Sequence, residues 1–207
     1  MKQGQIQVYT GEGKGKTTAA LGLALRAVGQ GFKVFMIQFM KGGAYTGEYI
    51  SIKHYLPNME IMQFGRPCIK QQKQLKLSGF SVKKENKEIF DFIREDVECG
   101  PCRFCFLNDD VQRDYVEEAF KKALEVVLSG DYDLIILDEI NVAMQLGFLE
   151  VELVMNLISN KPPHVELILT GRGAPEEIIE LADLVTEMRP HKHYFDKGVA
   201  ARRGVEY

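Results

Sequence analysis

The stretch Gln7 to Gly31, "QVYTGEGKGKTTAALGLALRAVGQG", runs from an apolar strand pattern through a glycine-rich turn into a run of Ala, Leu and Arg. That order, with Gly15-Lys16-Thr17 at the entry to the helix, is the sequence of a phosphate-binding loop. The usual pattern, G-x-x-x-x-G-K-[ST], asks for glycine where this chain has Thr10. Each residue type has a physical task. Gly11, Gly13 and Gly15 allow the backbone positive φ and bring its N–H groups close to phosphate oxygens, and the helix opening near Lys16 points its positive end at the same place. Lys16 supplies a point charge, and the Thr17 hydroxyl suits Mg²⁺. The whole loop, Thr10, Gly11, Glu12, Gly13, Lys14, Gly15, Lys16, Thr17 and Thr18, is read as the anion cradle. A ligand-free glycine turn is the competing reading, and it leaves unexplained a distant apolar strand that ends in Asp138-Glu139.

Outward from this stretch, short apolar runs alternate with helical patterns, the mark of a βαβ series and a mostly parallel sheet flanked by helices. Strands are expected at 6–10, 33–39, 59–64, 133–139, 165–170 and 184–188, and helices near 16–29, 111–129, 149–159 and 175–182. The fold class is α/β, one domain over 1–207, with a cysteine-bearing insertion at about 65–110 that breaks the alternation. In an open parallel sheet the ligand crevice lies at the carboxyl ends of the strands. The residues there are the loop, Gln38 to Lys41, Asp138 to Asn141, and Thr170 to Gly173. They suggest a polyphosphate and metal site in which Lys16, Thr17 and Glu139 serve catalysis and Thr17, Asp138 and Glu139 hold Mg²⁺. Gln38 is a further ligand contact, and Arg172 reaches either phosphate or a surface carboxylate.

The 207 residues are 45% hydrophobic and 27% charged, enough for one sizeable core. A net charge of −3 leaves no basic excess for nucleic-acid binding. No apolar run is long enough to cross a bilayer and the start lacks a signal-peptide pattern, so a cytoplasmic location is expected. Cys99, Cys102 and Cys105 have C-x₂-C-x₂-C spacing, and Cys68 would complete a four-thiolate zinc or iron–sulfur site; ordinary reduced thiols are the alternative. His191 and His193 are read as solvated.

Three segments, "YTGEGKGKTTAALGLALRAVGQGFKVFMIQFMKG", "LIILDEINVAMQLGFL" and "LTGRGAPEEIIELADLVTEMRPHKHYFDKGVAARRGVEY", resemble the ATP:corrinoid adenosyltransferase family of the P-loop type, also described as cob(I)yrinic acid a,c-diamide adenosyltransferase. The family's loop is similar to T-G-N-G-K-G-K-T-T, so Thr10 stands where the family places it and only Glu12 differs. The resemblance implies a P-loop NTPase-like, RecA-like fold. It implies a reaction in which a Co(I) corrinoid, cobalamin or cobyrinic acid a,c-diamide, attacks the 5′ carbon of ATP and releases triphosphate. Carried over by motif, Gly11 to Thr18 bind the triphosphate. A homodimer and an electron donor for Co(II) reduction are implied partners. Two departures are expected to matter. Only five residues precede Ile6, where the family often has a long polar lid segment. The family's aromatic G-F-T-W-like stretch is replaced by "QFGRPCIKQQ" in a chain without Trp, leaving Phe64 as the candidate for an apolar wall by the corrinoid. The competing functions are a P-loop NTPase or kinase acting on the γ-phosphate, and a non-enzymatic nucleotide- and metal-sensing module.

Overall fold

The computed structural model describes residues 2–42, 46–67 and 104–207. Most of the insertion expected at about 65–110 lies outside the described residues, and with it Cys68, Cys99 and Cys102. The strands are β1 (Ile6–Thr10), β2 (Val34–Phe39), β3 (Met59–Phe64), β4 (Leu134–Asp138), β5 (Glu166–Thr170) and β6 (Leu184–Glu187). Among the described residues the α-helices are α1 (Lys16–Gly29), α2 (Gly47–Tyr55), α3 (Asp110–Ser129), α4 (Ile140–Gln145), α5 (Val151–Ser159) and α6 (Glu176–Leu181). All six strands form one sheet in the order β3-β2-β4-β5-β1-β6, and every neighbouring pair is parallel.

Why these runs become central strands is visible in their side chains. β2, β4 and β5 are buried along their whole length, as expected of parallel strands covered by helices on both faces. Successive side chains point to opposite faces, so β2 divides its apolar residues. Phe35, Ile37 and Phe39 join a cluster with Val116, Ala119, Phe120 and Ala123 of α3. Val34 and Met36 join Ala20, Ala24 and Ala27 of α1 and Ile52 of α2 on the other face. Each fully buried Ile, Leu or Phe contributes about 1.5–3 kcal/mol relative to exposure.

The small residues on α1 set the position of the glycine-rich loop. Ala20 and Ala24 are wholly buried, so α1 lies close to the sheet and carries the loop 11–15 directly over its carboxyl edge. The chain leaves β1 for β2, three places away, and later fills the gap with β4 and β5 before placing β6 on the other side of β1. That reversal of direction beside β1 is where an open α/β sheet forms its crevice. Two helices were not anticipated, α2 and α4, and the helix expected at 149–159 starts at Val151.

Candidate nucleotide site

At the carboxyl edge the loop between β1 and α1 turns with Gly11 and Gly15 at φ 94° and 116°, a region that side chains rarely adopt. Gly13 has no positive φ, contrary to the expectation. It is glycine because a Cβ there would lie 2.7 Å from the Met188 carbonyl oxygen. The Gly13 N–H donates to that oxygen at 2.7 Å, so this amide is committed to the protein. Thr10 is nearly buried. Its Oγ1 accepts from the Ala174 N–H at 3.2 Å and its carbonyl from Met188 N–H at 2.8 Å. Thr10 therefore ties the root of the loop to the segments after β5 and β6.

Lys16 folds back onto the loop and donates to the carbonyls of Gly11 and Gly13 at 2.6 and 2.8 Å. Burial is the main influence and lowers its pKa, with Glu139 opposing that shift and Arg172 adding to it. An ammonium held on two carbonyls in a partly dry place is ready to move onto an anion that offers full charges.

Asp138, fully buried at the end of β4, organises the floor. One carboxylate oxygen accepts from Thr17 at 2.8 Å and from Thr170 at 2.7 Å. The other accepts from Gln38 at 3.0 Å and from Lys41 at 2.7 Å. Burial alone would raise the carboxyl's pKa, but the Lys41 ammonium and these hydrogen bonds outweigh it and hold Asp138 below its ordinary range. Lys41 shows the converse. Burial would lower it, yet Asp138 and then Glu139 hold it above the usual value.

Gln38 is oriented by Gln63, whose amide donates to Gln38 Oε1 at 2.8 Å, while its own amide also reaches Glu48 at 3.2 Å. Glu139 follows in left-handed backbone at φ 66° and caps α4, and Met40 at φ 57° makes the same kind of turn after β2. Non-glycine residues in this region cost about 1–3 kcal/mol and cluster at functional sites. Here the two turns aim Lys41 and Glu139 into the same cleft. Burial, and then the charge of Asp138, push the Glu139 carboxyl up.

The cleft has a volume of about 690 Å³. The loop residues Glu12 to Thr18 line it together with Lys41, Glu48, Glu139 and Arg172, and its far wall is the segment Gly204–Tyr207 with His193 and Tyr194. Arg172 sits at the mouth, exposed and 3.3 Å from Glu12. The surface-pair alternative for Arg172 is thus realised with a loop residue.

Glu48, Tyr194 and Gly204–Tyr207 line the site without having been assigned by the sequence reading, and Lys41 and Thr170, placed by it among the strand-end residues, were given no individual role. Cys105 lies half-buried in a 3-10 turn, Phe104–Phe106. Among the described residues no group of three or more His, Cys, Asp or Glu is placed to hold a metal ion. Phe64 packs against the core and does not line the cleft.

A phosphate loop facing a Thr–Asp pair across a parallel sheet is shared by many nucleotide enzymes, so the chain's relatives decide between them. The model of the family ATP:corrinoid adenosyltransferase BtuR/CobO/CobP matches residues 2–111 and 82–207. The chain belongs to this family. Several relatives are named corrinoid adenosyltransferases, which are transferases. The corrinoid adenosyltransferase of Escherichia coli (strain K12) is 33% identical over 206 residues, spanning 100% of this chain and 87% of the relative. That of Pseudomonas aeruginosa is 32% identical over 208 residues, 100% and 85% of the two chains. The corrinoid adenosyltransferase CobA of Salmonella typhimurium is 32% identical over 206 residues, 100% and 87%. The resemblance read from three separate segments thus extends across the chain, including the stretch where the aromatic motif is replaced. Among the described residues no helix is long and apolar enough to cross a membrane.

Proposed function

We propose that this adenosyltransferase-family chain transfers the 5′-deoxyadenosyl group of ATP to the cobalt of a Co(I) corrinoid, cobalamin or cobyrinic acid a,c-diamide, and releases triphosphate. The Co(I) electron pair forms the Co–C5′ bond, the C5′–O bond breaks, and triphosphate leaves with its electrons. A nucleophile of that strength needs no activating base from the protein. The protein's tasks are to orient two substrates and to stabilise a polyanionic leaving group. The observation that carries the reading is the convergence of Lys16, Lys41 and Arg172 on one cleft beneath the phosphate loop, in a chain of this family.

Lys16 leaves the Gly11 and Gly13 carbonyls to contact the triphosphate, and the N-terminus of α1 adds its dipole. The oxygen donors fit a hard cation: the Thr17 hydroxyl touches the buried Asp138 carboxylate at 2.8 Å, and Glu139 lines the same cleft. Thr17, Asp138 and Glu139 would hold Mg²⁺, which neutralises developing charge on the leaving group. Gln38 and Thr170 keep Asp138 oriented. We further assign to this protein a homodimeric state, an electron donor for Co(II), and a zinc or iron–sulfur site at Cys68, Cys99, Cys102 and Cys105. Metal analysis of anaerobically purified protein tests the last of these, and less than about a tenth of an equivalent of Zn or Fe would sink it.

The deciding experiment is an anaerobic assay with ATP, Mg²⁺ and chemically reduced cobalamin. A Co-adenosyl spectrum with stoichiometric triphosphate is expected. ADP or phosphate as the product would assign a γ-phosphate enzyme instead, and ATP binding without turnover would assign a sensing module.

A further inference from the structure

Lys14 lies inside the phosphate loop, and the sequence assigns it to the phosphates. Its ammonium has three N–H donors, and each has a partner elsewhere. Nζ donates to Tyr194 OH at 2.8 Å, to the Val205 carbonyl at 3.2 Å and to Glu206 Oε1 at 2.6 Å. Glu206 in turn accepts from the Arg202 N–H at 2.6 Å and from its Nε and Nη2 at 3.3 Å each, and from Tyr194 OH. The Arg202 guanidinium lies 4.8 Å over the Tyr194 ring. These bonds, those of Arg202 first, hold the Glu206 carboxyl far below the usual carboxylate range. The neighbouring Gly13 is gripped from the same direction by the Met188 carbonyl at 2.7 Å. Two consecutive loop residues are therefore fixed by the segment that follows β6, and Gly204 to Tyr207 also line the cleft.

We propose that segment 194–207 is part of the nucleotide site: Glu206 holds Lys14, and through it the phosphate loop, in the shape that receives the triphosphate. Lys14 and Glu206 are then positioning residues, not phosphate ligands. The inference rests on the triphosphate assignment under the proposed function. Charge and geometry make opposite demands here, which gives the test its sign. Lys14 and Arg202 against Glu206 leave one net positive charge beside the cleft. If only the field mattered, neutralising Glu206 would tighten binding of a polyanion. If the loop's shape matters, the same change weakens it.

The experiment is titration calorimetry of ATP and of inorganic triphosphate, each with Mg²⁺ and without corrinoid. The proteins are the full chain and its Glu206→Gln, Lys14→Met and double variants. Glu206→Gln is expected to weaken both ligands by about fivefold or more, and the double variant to bind no worse than Lys14→Met alone, because the two residues act as one coupled unit. In turnover the loss should fall on KM for ATP and spare kcat. Binding by Glu206→Gln as tight as, or tighter than, the parent overturns the proposal, and so do independent, additive losses. Should Glu206→Gln fail to fold, Tyr194→Phe removes only the hydroxyl between Lys14 and Glu206 and is read by the same criterion. A parent protein that binds neither ligand would instead defeat the triphosphate assignment, and this inference with it.

Discussion

Asp138 shows how one residue sets the chemistry of the site. Its carboxylate is fully buried, and its charge is tolerable only because Lys41 lies 2.7 Å from it with Thr17, Thr170 and Gln38 filling the remaining acceptor positions. Removing one partner of a buried pair leaves the other uncompensated and typically costs about 3–5 kcal/mol. Lys41 keeps contact with the cleft, so Asp138→Asn is expected to cost about 3 kcal/mol, at the lower end of that range. A shift of the urea midpoint measures it, and an unchanged midpoint would contradict the ion-pair account. Asp138 has a depressed pKa, so its stabilisation is present above the ordinary carboxylate value and lost as pH falls through the lowered one. The Asp138→Asn variant should therefore show a flatter acid limb in its stability curve. Lys16 gives a prediction of the opposite kind. Phosphate contact needs the ammonium, and burial sets the pKa of Lys16 below the ordinary 10.5. ATP affinity should accordingly fall on the alkaline side earlier than an ordinary lysine would cause. Lys16→Arg should remove that limb, and Lys16→Ala should abolish triphosphate binding; near-normal affinity in the alanine variant would refute the assigned role.

At the scale of elements, α1 is built to carry its N-terminus close to the sheet, and its packing face shows how. Ala20 and Ala24 are wholly buried against Val34, Met36, Leu134, Ile136 and Ile168. A leucine at position 24 would overpack this contact, costing about 1–3 kcal/mol and lifting the loop away from Asp138. Denaturant unfolding should show the first effect and a raised KM for ATP the second; a destabilised variant with normal KM would separate α1 packing from the site. The same element was legible in the sequence, because a glycine turn followed by strong helix formers has few other readings. The central strands were legible for a related reason, since a fully buried parallel strand writes an unbroken apolar run such as Leu134–Leu137. Two helices were hidden by the same physics. α2 buries only Ile52, so it writes no periodic stripe. α4 spans only six residues, Ile140–Gln145, and buries four of them, too short a run to write a helical period. The reading of Gly13 as a positive-φ glycine failed because the constraint on it comes from Met188, which is distant in sequence.

For the whole molecule, what the sequence could show of the site is governed by the distance between its parts along the chain. Gly15-Lys16-Thr17 and the acids after β4 announce themselves locally. Lys14 and Glu206 are 192 residues apart, and only the placement of β6 beside β1 brings them together. The assembled cleft sets Lys14, Lys16, Lys41 and Arg172 among as many carboxylates, Glu12, Glu48, Glu139 and Glu206, so a polyanion there would rely on directed contacts to the cations and not on a net positive field. Ligand binding to the folded state alone stabilises it by RT ln(1 + [L]/Kd), about 2.7 kcal/mol at a hundredfold excess over Kd. Since the contacts assigned to Lys16, Lys41 and Arg172 are to phosphates, inorganic triphosphate with Mg²⁺ should raise the melting temperature nearly as far as ATP does, whereas adenosine at the same concentration should not. Adding EDTA to the ATP sample should withdraw part of the gain, because Thr17, Asp138 and Glu139 are assigned to Mg²⁺. Differential scanning calorimetry reads all four conditions. Equal stabilisation by adenosine and triphosphate would move the main binding contacts away from the phosphate loop, and an EDTA-insensitive gain would remove Mg²⁺ from the ground-state complex.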